Sequence, residues 1–155
     1  MLPVFYSKSW FRAKKIALEP MDTSIARARH QAGAPYAVLI GSATTPSCFI
    51  EMLMDKRMVG VGFLDDEGRE YLTYQFHYLN GEQLFLTMAT HREFEAAKVI
   101  LGTTYIFNQQ GTLVIRREHL NPYRLEEIQS TFDPTGNYEP APAFGDYSTL
   151  MKINR

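Results

Sequence analysis

The chain of 155 residues has only one cysteine, Cys48, and no apolar run long enough to span a bilayer. A single thiol excludes an intrachain disulfide and a zinc site built from several thiolates. Residues 1–18 also lack the apolar core of a secretory signal. These absences predict a cytoplasmic protein without a membrane partner, in which Cys48 is a small buried apolar residue.

Motifs that usually carry catalysis or cofactor binding are missing as well. The sequence contains no Gly-x-Ser-x-Gly, no Gly-Lys-Ser/Thr and no His-Glu-x-x-His. The four histidines, His30, His77, His91 and His119, form no local metal-binding pattern. We therefore expect no catalytic residues, no cofactor and no metal.

The net charge of −1 conceals an uneven distribution along the chain. Residues 1–35 have six basic and two acidic side chains, whereas residues 36–155 have ten basic and fifteen acidic ones. An acidic second half argues against nucleic acid as a partner, because phosphate binding needs clustered cations. The acidic side chains can instead attract a basic protein, or they can simply keep the surface solvated.

Polar turn sequences containing glycine alternate with runs of β-branched and aromatic residues, which predicts an antiparallel meander. The predicted strands cover residues 58–64, 71–78, 83–89, 103–107 and 112–119, and the turns lie at 65–68, 80–82 and 108–111. Within the first of these strands, Gly60 and Gly62 leave one face bare. We expect a bulky neighbouring side chain to pack there.

Further elements flank the meander. Strands are predicted at 36–40 and 48–54, and a helix is predicted over 24–31, where Asp22 or Thr23 can cap it.

A second helix is predicted over 91–100, because a Thr and a Glu three positions apart form a capping box. Two segments stay ambiguous between strand and helix, namely 10–18, which Pro20 is expected to end, and 123–132. The predicted fold is α+β: a single domain over residues 1–155 with a curved antiparallel meander sheet and one or two short helices on one face.

The closing segment, residues 133–147, is rich in proline and is expected to be irregular. It combines tyrosines with carboxylates, a combination that suits protein interfaces. The segment can dock a partner or cover one end of the sheet, and the two roles are compatible. The candidate partner-binding residues are Glu126, Glu127, Asp133, Tyr138, Glu139, Asp146 and Tyr147.

The run from Phe132 to Tyr147 resembles the end of small bacterial immunity proteins, which are encoded beside polymorphic or contact-delivered toxins. The hairpin sequence from Tyr105 to Thr112 is similar to theirs in cadence. The resemblance covers roughly the last third of the chain. It implies a cytosolic protein that neutralises a cognate toxin by binding it, and it implies no catalytic residues. The residues expected to build or present the segment are Tyr138, Glu139, Phe144, Asp146 and Tyr147.

The leading hypothesis is therefore a protein-binding inhibitor that occludes a partner, a basic toxin domain. The alternative is a small cone- or barrel-fold enzyme with His77 as general base, at a cavity mouth lined also by Tyr71, Thr73 and Gln75. A third hypothesis is a structural subunit of a larger assembly. The sequence leaves the oligomeric state open.

Overall fold

A computed structural model describes residues 2–155, most of which belong to one antiparallel sheet. The strands are β1 (Val4–Phe11), β2 (Ile16–Met21), β3 (Tyr36–Ile40), β4 (Cys48–Leu53), β5 (Met58–Leu64), β6 (Glu70–Tyr78), β7 (Gln83–Glu95), β8 (Lys98–Phe107), β9 (Thr112–His119), β10 (Arg124–Thr131) and β11 (Tyr138–Pro140). The helix α1 (Thr23–Ala32) and short 3₁₀ helices at Met54–Lys56, Pro134–Asn137 and Ser148–Met151 complete the described part of the chain.

The strand order is β10-β9-β8-β7-β6-β5-β4-β3-β1-β2, and β11 pairs with the start of β7. Nearly every strand therefore pairs with its neighbour in sequence, which confirms the antiparallel meander. Because β10 and β2 each have only one partner strand, the sheet is open. With one α-helix among residues 2–155, the protein is dominated by its sheet and matches the predicted α+β class only loosely.

The prediction of a helix over residues 91–100 is wrong. Strand β7 continues to Glu95 and β8 begins at Lys98, with Ala96 in a left-handed turn conformation between them (φ 54°). Thr90 lies opposite Thr104, and their hydroxyl groups are 3.3 Å apart. Because threonine and aromatic residues also suit strands, cross-strand pairing takes precedence over the local capping box.

The two ambiguous segments are both extended. Residues 124–131 form β10. The segment 10–18, expected to end at Pro20, is divided among β1, a turn and β2. Pro20 lies inside β2 because this strand is at an edge of the sheet, where a missing amide proton costs no ladder bond. The first predicted helix is confirmed as α1: the Asp22 side chain accepts a hydrogen bond from the amide of Ile25.

The main core lies on one face of the sheet, which we call the inner face. The alternation predicted for β6 is present, since Leu72, Tyr74, Phe76 and Tyr78 are buried there. Helix α1 and the residues around Leu150 cover this face. The opposite, outer face carries a smaller apolar cluster, formed by Trp10, Leu39, Phe49 and Leu64.

Phe49 fills the space that the glycines of β5 leave on the outer face, as the sequence predicted. A Cβ atom built at Gly62 would lie 2.2 Å from Phe49 Cζ. At Gly60, the nearest atom would be Glu51 Oε1 at 3.7 Å, which is an ordinary contact. Only Gly62 is therefore required for the close approach of this ring.

We expect Gly62→Ala to lower the free energy of unfolding by about 2 kcal/mol, because the buried Phe49 ring must move. Gly60→Ala is the matched control and should change stability by less than about 1 kcal/mol. Urea unfolding of both variants measures the difference. Equal stabilities would show that Phe49 does not depend on the missing Cβ.

Candidate functional site

Beyond β7 the sheet continues as an arm of three strands, β8, β9 and β10, which the rest of the chain covers only at its base. Every residue of β10 is exposed. Because successive residues of a strand point to opposite faces, β10 is open to solvent on both sides. Ile128 is 57% exposed, which is unusual for an isoleucine within a sheet. The arm is therefore the least covered part of the fold.

A cleft of about 400 Å³ lies on the inner face at the base of the arm. The floor of the cleft includes Ala89 and Tyr105 from adjacent strands, and Phe132 forms one wall. Ile153 and Arg155 form the opposite wall. Most of the lining is apolar, so the cleft suits an apolar group better than a charged one.

Local contacts hold the wall that Phe132 belongs to. The Phe132 ring packs on Phe107, with ring centroids 5.0 Å apart. Farther along this segment, the side-chain amide of Asn137 donates a hydrogen bond to the carbonyl of Leu86 at 3.0 Å. The cleft therefore exists before any partner binds.

An apolar row connects the cleft with the free edge of the sheet. The strand registers place Tyr74, Ala89, Tyr105, Ile115 and Ile128 side by side on the inner face, one from each strand from β6 to β10. The row begins in the core and ends at the most exposed strand. An exposed apolar surface of this kind is a typical sign of an interaction site.

The carboxylates predicted for partner binding on β10 have basic neighbours on β9. Glu126 lies opposite Arg117 and accepts a hydrogen bond of 2.7 Å from His119, which is the main reason why its pKa is lowered. Glu127 lies opposite Arg116. The acidic excess near the end of the sequence therefore does not form an acidic patch on the arm.

Three other predicted residues are engaged in local structure. Asp133 and Asp146 each accept hydrogen bonds from the residue two positions ahead, Thr135 and Ser148, and these bonds lower the pKa of both carboxyl groups. The Tyr138 hydroxyl accepts a hydrogen bond from Gln109 at 3.0 Å. All three lie outside the cleft lining, and their role in partner binding stays a prediction.

Glu139 and Tyr147 are buried, so neither is presented on the surface. The Glu139 carboxylate binds Lys152 at 3.2 Å and Arg155 at 3.0 Å. The Arg155 guanidinium also lies over the ring of Phe76, 5.0 Å from its centroid. Glu139 and Tyr147 hold the last part of the chain against the sheet, and their role in partner binding stays a prediction.

A buried chain of hydroxyl groups fixes Tyr147 and was not foreseen from the sequence. The hydroxyls of Tyr147 and Tyr36 are 3.1 Å apart, those of Tyr147 and Tyr6 are 3.5 Å apart, and His30 Nδ1 lies 2.8 Å from Tyr36. Burial raises the pKa of all three phenols. They therefore stay neutral and serve as hydrogen-bond partners rather than as bases.

Of the residues named for the alternative enzyme, Thr73, Gln75 and His77 lie on the face opposite the cleft, and His77 is exposed. Tyr71 packs against the main core instead, with its ring centroid 6.5 Å from that of Phe63. Burial raises the pKa of Cys48 to about 12, so this thiol is not poised as a nucleophile. No group of three or more histidine, cysteine or carboxylate side chains that could hold a metal occurs within residues 2–155.

The inner face of the arm, with its cleft and apolar row, is the candidate site. Comparisons with family models, with curated proteins and with solved structures give no match to this chain. No helix within residues 2–155 has the length and apolar character needed to cross a membrane. The site is therefore defined by its own geometry: an apolar cleft, an exposed row and paired charges beside them.

We expect Glu139→Ala to lower the free energy of unfolding by about 3 kcal/mol, because it leaves the largely buried side chain of Arg155 without its carboxylate. Glu127→Ala, which removes an exposed carboxylate, should change stability by less than about 0.5 kcal/mol. Urea unfolding compares the two variants. A loss below about 1 kcal/mol for Glu139→Ala would contradict a structural role for this ion pair.

Acidification should destabilise the protein through His30. Burial lowers its pKa from the usual value of 6.5, so below that pH the unfolded chain binds a proton that the folded chain does not. The free energy of unfolding should fall as pH drops through about 6.5, by at most about 1.4 kcal/mol per pH unit. His30→Asn should flatten this slope in urea unfolding, and His77→Asn is the control for the removal of an exposed histidine. Identical slopes for wild type and His30→Asn would refute the assignment.

Proposed function

We propose that this protein is an inhibitor of the immunity type, which neutralises a cognate toxin by binding it on the inner face of the arm. The observation that carries the proposal is the apolar row that leaves the core at Tyr74 and ends, exposed, at Ile128. Apolar surface framed by polar side chains is the usual composition of a protein interface. A partner that covers the row would bury the apolar side chains that the fold leaves exposed.

The cleft offers an anchor point for such a partner. A volume of about 400 Å³ exceeds that of a single large side chain, so an aromatic or aliphatic residue of the toxin can enter it beside Tyr105. Buried anchors in preformed pockets dominate the binding energy of many interfaces. Since the cleft walls are fixed by their own contacts, little ordering is needed on binding.

Apolar burial, rather than charge, supplies the binding energy in this proposal. The arm's carboxylates Glu126 and Glu127 already have basic neighbours on β9, so a basic toxin would gain little from them. The acidic excess of the second half of the chain acts over longer distances. It would raise the association rate with a basic toxin and would be screened by salt.

The resemblance to immunity proteins supports the toxin as the class of partner. The resembling run begins with Phe132, which forms a wall of the cleft. Glu139 and Tyr147, farther along the run, are buried and stabilise the fold instead. The proposal therefore assigns partner contact to the start of the run and structural support to the remainder.

The direct test mixes the purified protein with the product of the neighbouring gene. We expect a complex at micromolar concentration and protection of cells that express that product. Absence of both would end the proposal. A complex without protection would identify a binding protein of another kind.

Tyr105→Ala should weaken the complex about tenfold or more, because it removes the aromatic floor of the cleft. Tyr123→Ala is the matched control: this tyrosine is 64% exposed and lies in the turn after β9, so its loss should cost less than about threefold. Isothermal titration calorimetry measures both, and thermal unfolding confirms that both variants fold. Equal losses for the two variants would place the interface elsewhere.

A further inference from the structure

The outer edge of β10 presents unpaired backbone groups, and their positions follow from the ladder. The amide of Phe132 donates to the carbonyl of Gly111 at 3.0 Å, so position 132 is bonded toward β9. In an antiparallel pair such bonded positions alternate along the strand. The backbone N–H and C=O groups of the even-numbered residues of β10 therefore point toward β9. The backbone N–H and C=O groups of the odd-numbered residues therefore point outward. These residues are Leu125, Glu127, Gln129 and Thr131.

The two edges of the sheet differ in how they are protected. Strand β2 contains Pro20, and Glu19 has a left-handed conformation (φ 52°), so this edge is irregular and lacks a donor. Strand β10 contains neither proline nor lysine, and all of its residues have negative φ. Natural sheets protect exposed edges with such devices, and an edge without them is suited to pairing with another strand.

We propose that β10 pairs with β10 of a second copy of this chain, antiparallel about a two-fold axis at Ile128. A two-fold axis places one residue opposite its own copy. Within Arg124–Thr131, the two registers with the greatest overlap are centred on Glu127 and on Ile128. The first sets two carboxylates against each other, which is unfavourable. The second sets two isoleucines against each other.

Side-chain chemistry favours the Ile128 register at the other positions as well. It places Glu127 opposite Gln129 and Glu126 opposite Ser130, without any pair of like charges. Because Ile128 is bonded toward β9, it meets its copy as a non-hydrogen-bonded pair, in which side chains approach most closely. The outward groups of Glu127 and Gln129 then bond across the axis.

The register also continues the apolar row across the dimer. The row that reaches Ile115 and Ile128 in one copy would run on through Ile128 and Ile115 of the second. This pairing buries the side chain that is 57% exposed in the single chain. It does not rest on the proposed toxin, because it concerns the edge of β10 and needs no other molecule.

Cross-linking tests the register in the full chain. In Ile128→Cys, the paired Cα atoms would be about 4.5 Å apart, within the range of a disulfide. Glu126→Cys is the matched control, since its copies would be four positions apart along the strand, about 13 Å, which is too far. The native Cys48 is buried and should not react. Under mild oxidation we expect dimers of Ile128→Cys only. No cross-link, or equal cross-linking of both variants, would overturn the proposed register.

Sedimentation of the unmodified protein tests the association itself. We expect a concentration-dependent dimer with a Kd below about 100 µM. Ile128→Lys should be monomeric and should retain its thermal stability, because the side chain is exposed in the single chain. A wild-type monomer at about 100 µM, or a dimer that survives Ile128→Lys, would contradict pairing at this edge.

Discussion

The packing of the last residues across the inner face of β6 and β7 decides which part of this open sheet is core and which is surface. Its polar centre is the buried Glu139 carboxylate with Lys152 and Arg155 around it. The Tyr147 hydroxyl, bonded to Tyr36, fixes the same stretch near α1. An ion pair in this environment is costly to form and costly to break, so it specifies one position for the end of the chain.

The limited reach of that covering explains the arm. Residues 138–155 and α1 shield the strands up to β7, while β8, β9 and β10 extend beyond them. Cross-strand pairs such as Arg117 with Glu126 keep the arm's surface balanced in charge. The apolar row is not covered in a comparable way, since Ile128 remains exposed to water. A docked toxin and a paired strand at the edge would each bury part of this exposed surface.

Local patterns in the sequence predict much of the sheet but little of the site. Alternation and glycine turns indicate β3 to β7, and Gly62 even predicts the bulky neighbour that proves to be Phe49. The helix expected over 91–100 fails because a capping box fits a threonine-rich strand as well. Several contacts that shape the site and its surroundings are distant in sequence: Asn137 donates to the carbonyl of Leu86, 51 positions away, and the hydroxyls of Tyr6 and Tyr147 meet across 141 positions. No local sequence window contains both members of these pairs.

Hydrogen exchange of the backbone amides, with and without the neighbouring gene's product, tests the central claim most directly. If the inner face of the arm is the docking surface, binding should slow exchange in β8, β9, β10 and residues 132–137, and leave the loops on the outer face unchanged. The loops around Thr44 and Glu67 line a separate pocket beside Trp10 and Leu64 of the outer-face cluster. Slowed exchange confined to these loops, or no change in the arm of a formed complex, would contradict docking on the inner face.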